Sequence, residues 1–166
     1  MRPESHLMRT LLSGVLALLV WAPQVQAQQV TEDPDWKETE APAPPVFSLD
    51  KLLPLAMPPY VSLQFGIDPA TLTLTADGVV RYVVVARNAS GSANAMYEGI
   101  RCTTGEVKTY ARTNSLGAWA ALPSPQWRVM NDNQPSKHAL AFARQGACDA
   151  HTPANSVGDI VKALMK

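Results

Sequence analysis

The chain has 166 residues, with 14 Lys and Arg against 14 Asp and Glu, and two cysteines. A formal charge of zero gives no bulk attraction for nucleic acid or an anionic membrane surface, and the length suits one domain with a core of its own. Two cysteines exclude a cysteine-rich scaffold, and the absence of a Cys-x-x-Cys pair excludes the usual redox and zinc-ribbon motifs.

The first element is a leader. Arg2 and Arg9 precede the apolar run LLSGVLALLVWA (Leu11 to Ala22), and Val25 and Ala27 supply small residues where a signal peptidase cuts. The run is about a dozen residues, whereas a spanning helix needs roughly 20. We therefore read residues 1–27 as a cleaved signal peptide rather than a membrane anchor. Losing two arginines and one glutamate takes the neutral chain to a formal charge of −1. No later apolar run is long enough to span a bilayer, so the expected product is soluble, and in a Gram-negative cell periplasmic.

Residues 28–45, QQVTEDPDWKETEAPAPP, are acidic and proline-rich and read as an extended tail without a core of its own. Trp36 stands out there, either docked on the domain or solvated. The domain itself is expected over 46–166. A short strand is expected at Val61 to Phe65. TLTLT (Thr71 to Thr75) alternates with period two, and VVRYVVVAR (Val79 to Arg87) is rich in β-branched residues. A three-residue turn, Ala76-Asp77-Gly78, sets Leu74 opposite Val80 and Thr73 opposite Arg81, which sorts apolar from polar faces; Gly78 is then left-handed. NAMYEGIRC (Asn94 to Cys102) and VKTYART (Val107 to Thr113) follow as strands around the turn TTGE. Lys137 to Gln145 reads as a helix, with a strand as the alternative. In SVGDIVKALMK, Ser156 and Asp159 form a capping pair, and Val157, Ile160, Val161 and Leu164 share one helical face. The expected fold is α+β: a small antiparallel sheet of four to five strands, one or two C-terminal helices packed on it, and one disulfide.

That bridge joins Cys102 to Cys148, because an exported chain with an even cysteine count usually pairs them. It closes a loop of about 46 residues, which the chain-entropy model values at about 4 kcal/mol. A zinc site from Cys148, His151, Cys102 and His138 is the weaker alternative, since only one close ligand pair is present. No cofactor or metal is expected.

In an extended strand Met96, Glu98, Ile100 and Cys102 share one face, and Tyr97, Gly99 and Arg101 the other. Glu98 thus lies in an apolar row and needs a partner if that face is buried. Arg81, Arg101 and Arg112 are partners by type, and catalysis is the competing reading. Gly99 inside a strand points to a bulge or a close approach, with Tyr110 packing over the gap. Tyr97, Tyr110, Trp119 and Trp127 could equally form a ligand platform or plain core.

Beyond these local readings, the order Asp35-Trp36-x-Glu38, DGVVRY (Asp77 to Tyr82), SGSAN (Ser90 to Asn94), YEGIRC (Tyr97 to Cys102), Glu106-x-Lys108-x-Tyr110-Ala111, Trp119, Trp127 and a final cysteine, Cys148, resembles the family named for the cryptic neisserial protein. The resemblance spans nearly all of the chain after the leader. It implies an exported protein of Gram-negative bacteria and carries over no activity, substrate or catalytic residue.

Three functions compete. The first is a non-enzymatic envelope protein that binds a partner protein or an envelope component, the tail serving for docking and Tyr97, Glu98, Arg101, Tyr110, Trp119 and Trp127 as contact residues. The second is a small-ligand binder using the aromatic residues among them. The third is a hydrolase in which Glu98 and His138 or His151 lie within hydrogen-bonding reach in a cleft. No catalytic serine motif is present.

Overall fold

The computed structural model describes residues 33–132 and 136–166; the leader and residues 28–32 lie outside them. Two long strands form the spine, β4 (Val79–Arg87) and β5 (Ala93–Arg101), paired over their whole length. Strand β6 (Glu106–Thr113) lies against β5 on its far side. The chain enters through β1 (Leu53–Pro54) and β2 (Gln64–Ile67), which extend the other edge. Short strands β3 (Thr73–Leu74), β7 (Trp119–Ala121) and β8 (Arg128–Val129) complete an antiparallel sheet of eight strands. That exceeds the four to five expected. The surplus consists of two- and three-residue pairings along longer strands, too short to leave a period in the sequence.

The β3–β4 turn has the expected register, Thr73 opposite Arg81 and Leu74 opposite Val80, with Gly78 left-handed at φ 77°. Asp77 holds it: its carboxylate accepts from the Val79 N–H and from the Thr75 hydroxyl. The C-terminal part supplies two short helices, α1 (His138–Phe142), which runs on into a π-helical turn, Ala143–Ala147, and α2 (Val157–Leu164). Between them, β9 (Cys148–Asp149) and β10 (Thr152–Pro153) form a separate hairpin. Ser156 caps α2 by accepting from the Asp159 N–H at 3.1 Å.

Both faces of the spine are covered. On one, Tyr82, Val84 and Ile100 pack with Phe142, Ala143 and Ile160, and the Tyr82 and Phe142 rings meet edge to face at 4.6 Å. On the other, Val83, Val85, Ala95, Tyr97 and Ala111 pack under Phe47, Leu52 and Trp119. A strand covered on both faces needs apolar residues at nearly every position, and VVRYVVV supplies them except at Arg81, whose buried charge is paired with Asp77. Cys102, just past β5, is bonded to Cys148, just past the π turn, with their Cα atoms 5.7 Å apart. Both sulfurs being used, the zinc alternative has lost its thiolates. No helix among the described residues is long and apolar enough to cross a membrane.

Candidate functional site

A β-bulge organises the site. The β5–β6 register shifts between Tyr97 and Glu98, so that Tyr97 opposes Ala111, Glu98 opposes Thr109, and Tyr110 is the extra residue. Tyr110 and Ala111 consequently both turn to the face carrying Tyr97, while Thr109 and Arg112 come to line one cavity on the other side. Re-aiming of side chains is what a bulge does to a strand.

Glu98 sits at the floor of that cavity, about 300 Å³ in volume. It is 2 % exposed. One carboxylate oxygen accepts from the Thr109 hydroxyl at 2.9 Å; the other accepts from the Tyr82 hydroxyl and pairs with His138 Nε2, each at 2.9 Å. Burial pushes the carboxyl up, but the charge and hydrogen bond of His138, with those of Tyr82 and Thr109, overcome it and hold Glu98 below the ordinary glutamate value. Burial and the neighbouring Glu98 charge push the Tyr82 hydroxyl well above its ordinary value, so it remains a donor. An ionised carboxylate only accepts, so His138 Nε2 carries its proton, and in the neutral ring Nδ1 keeps a lone pair. Ser136 Oγ lies 2.9 Å from that Nδ1. The ring is held flat against Phe65, centroids 4.9 Å apart. The backbone between the two, at Lys137, is left-handed (φ 48°, ψ 29°), a strained conformation for a residue with a Cβ. Arg112, Arg128, Lys137 and Asp132 bring charge to the cavity wall. Arg128 is paired with Asp132 at 3.0 Å, whereas Arg112 has no ion pair among the described residues.

The expected arginine partner of Glu98 is thus replaced by a histidine. Arg81 and Arg101 turn to the opposite face, and Arg112 lines the cavity without pairing to it. His151 is not part of the arrangement.

That opposite face holds the remaining residues singled out from sequence, and the chain's own N-terminal segment lies on them. The Trp36 ring lies under the Arg101 guanidinium at 3.8 Å and meets Trp127 edge to face, and its N–H donates to the Asp77 carbonyl. Glu38 accepts from Lys108 Nζ at 2.7 Å, from the Tyr110 hydroxyl at 2.7 Å and from the Trp127 N–H at 3.1 Å. Burial raises its carboxyl, and those three partners bring it below the ordinary value. Arg81, 1 % exposed, donates to the Thr39 carbonyl and pairs with Asp77. Trp119 donates to the Pro45 carbonyl and packs on Phe47. Tyr97 is buried beside Tyr110, their rings 5.2 Å apart. Gly99 lies beneath Tyr110 as expected: a Cβ there would fall 2.6 Å from the Tyr110 hydroxyl and 2.8 Å from Val79 Cγ1.

The segments that build both faces lie within one family model, that of the CNP1-like family, which matches residues 31–165. The chain belongs to the CNP1-like family. Neither a curated protein nor a solved structure matches it. The CNP1-like match covers the docked Trp36-x-Glu38 segment together with the sheet that receives it, and also Glu98 and His138. Tyr82, Thr109 and Ser136 join the Glu98–His138 pair without having been assigned a role from sequence, while Arg112, read there as a partner for Glu98, lines the cavity instead. Period-two alternation does put Tyr82 on the inner face, and Gly99 points to a bulge or close approach, but nothing in the sequence marks Tyr110 as the extra residue that brings Thr109 and Arg112 together.

Proposed function

We propose that this CNP1-like protein is exported to the bacterial periplasm, is soluble there, and binds a small anionic ligand in the cavity over Thr109. The observation that carries the ligand reading is the hydrogen bond between His138 and a fully buried, ionised Glu98 at the floor of a cavity. Ionisable groups held this way in a concavity are candidate sites, and Arg112 on the wall favours a negatively charged guest. The leader motif supports export, and so does the disulfide, because such bonds persist in oxidising compartments. Recruitment of a partner protein by residues 28–45 has less to stand on, since from Trp36 onward the segment is engaged with its own sheet.

Inorganic phosphate and succinate serve as probes. Titrated into the full mature chain, one of them is expected to move the His138 and Thr109 resonances and raise the melting temperature, and Arg112→Glu is expected to abolish both effects. Millimolar probe without a response at the cavity would overturn the ligand reading. Release of the chain by osmotic shock, processed at residue 28, tests the location; recovery with the cytoplasm would overturn it.

A second reading is favoured by the same hydrogen bond. A carboxylate–imidazole pair in a cleft is the core of a general acid–base site, which supports hydrolysis of the bound ligand.

A further inference from the structure

The imidazole of His138 has no free nitrogen: Nε2 faces Glu98 and Nδ1 faces Ser136, each at 2.9 Å. Any proton this ring exchanges with a ligand therefore passes through the Ser136 hydroxyl. Because ionised Glu98 can only accept, Nε2 donates to it, and in the neutral ring Nδ1 is then the acceptor and the Ser136 O–H the donor. Nucleophile, base and orienting acid are then joined in sequence, the arrangement that activates a serine. Two further features hold it. The left-handed turn at Lys137 folds Ser136 back onto the ring two residues later, and the flat stacking on Phe65 limits the ring's rotation. Lys137 and His138, which follow Ser136 directly, line the cavity with Arg112.

We propose that Ser136 is an acylatable nucleophile, with His138 as its base and Glu98 as the positioning residue, acting on small esters that carry a negative charge. The proposal rests on the hydrolytic reading of the cavity. In the first half-reaction Ser136 Oγ bonds to the ester carbonyl carbon and its proton moves to His138 Nδ1. The ester C–O bond then breaks, and the leaving alcohol takes that proton. Water repeats the sequence on the acyl-serine, giving the carboxylic acid and free Ser136. No oxidant, reductant or metal is required. Arg112 and Lys137 line the cavity beside His138 and give it positive charge, which favours an oxyanion held on that side of the ring.

The test is covalent labelling of the full mature chain with a fluorophosphonate. The serine Oγ–P bond forms, fluoride leaves, and the hydroxyl proton goes to His138. Peptide mass spectrometry is expected to place the adduct on Ser136, to find none in Ser136→Ala, and to show labelling at least tenfold slower in His138→Ala and Glu98→Gln. Free imidazole is expected to restore labelling of His138→Ala, a rescue that a purely structural histidine would not show. An intact Cys102–Cys148 bond and a cooperative melt establish that each variant is folded. A folded wild type without an adduct on Ser136, or equal labelling of wild type and His138→Ala, would overturn the proposal. If labelling fails while phosphate or succinate still moves the His138 resonances, the nucleophile falls and the ligand site stands; if labelling succeeds without such a response, the converse holds.

Discussion

Glu98 is the residue on which the cavity side depends, and its environment sets a sign for pH. A carboxyl held below its ordinary value contributes stability that is complete above the unfolded value, about 4.3 for glutamate, and is lost as pH falls through the folded value. Glu98→Gln keeps the size and one acceptor but removes the charge that His138, Tyr82 and Thr109 address. Loss of charge-assisted hydrogen bonds of this kind costs about 2 kcal/mol. In urea melts at pH 7 the variant is expected to be weaker by that amount, and the gap should narrow as pH falls below the unfolded value and close only once pH has passed below the lowered folded value of Glu98. A gap independent of pH would show that the charge is not what the site uses. Gly99, next in the chain, makes a separate prediction on the opposite face. The Cβ of Gly99→Ala meets the Tyr110 hydroxyl and Val79 Cγ1 inside contact distance, and overpacking of this kind costs about 1–3 kcal/mol. Combined with Tyr110→Phe, which removes the nearer atom, the alanine should cost less than it does alone. Strictly additive costs would mean that Tyr110 is not the obstacle.

At the scale of the element, the N-terminal segment behaves as a missing piece of the second face. Its described residues, from 33 on, form no strand with the sheet; Trp36, Glu38 and the Thr39 backbone attach it. A cation–π contact between a guanidinium and tryptophan contributes about 1 kcal/mol, so Trp36→Ala should loosen the segment without unfolding the sheet. Trypsin cleavage after Lys37 is expected to rise on the order of tenfold, equivalent to about 1.4 kcal/mol of local opening. An unchanged rate would place the anchoring at Glu38 instead. Why the sequence conceals this docking has a physical reason. Residues 33–45 carry the composition of a solvated tail, and the contacts that hold them are single polar pairings across more than 35 residues, which leave no period. The β3–β4 hairpin, by contrast, was legible to the residue, because a one-position slip would have placed Arg81 opposite Leu74 and mixed the apolar and polar faces. The α2 cap and face were legible for similar local reasons. The candidate site lies between these extremes. Its glutamate is visible as a charge in an apolar row, and its histidine only as one of two available. The bulge at Tyr110 that turns Arg112 to the cavity cannot be read from EVKTYART at all.

At the scale of the whole molecule, the disulfide bears on the geometry of the cavity as well as on stability. Glu98 is on β5, and Cys102 follows the end of that strand; His138 opens α1, and Cys148 follows the π turn that α1 runs into. The bridge therefore ties the strand that carries the carboxylate to the helical segment that carries the imidazole, and the 2.9 Å contact between them spans the same loop. Reduction, or Cys102→Ala with Cys148→Ala, is expected to lower stability by up to about 4 kcal/mol. The loss should also be uneven across the sheet. The face covered by the N-terminal segment is held by Trp36, Glu38 and Trp119 and has no connection through the bridge. In the double variant the His138 ring resonances should broaden or move toward those of a solvated histidine, while the Trp36 and Trp119 indole N–H resonances remain in place. Equal disturbance of both faces would mean that the bridge stabilises the domain as a unit. An unmoved His138 would mean that stacking on Phe65 is enough to hold the pair.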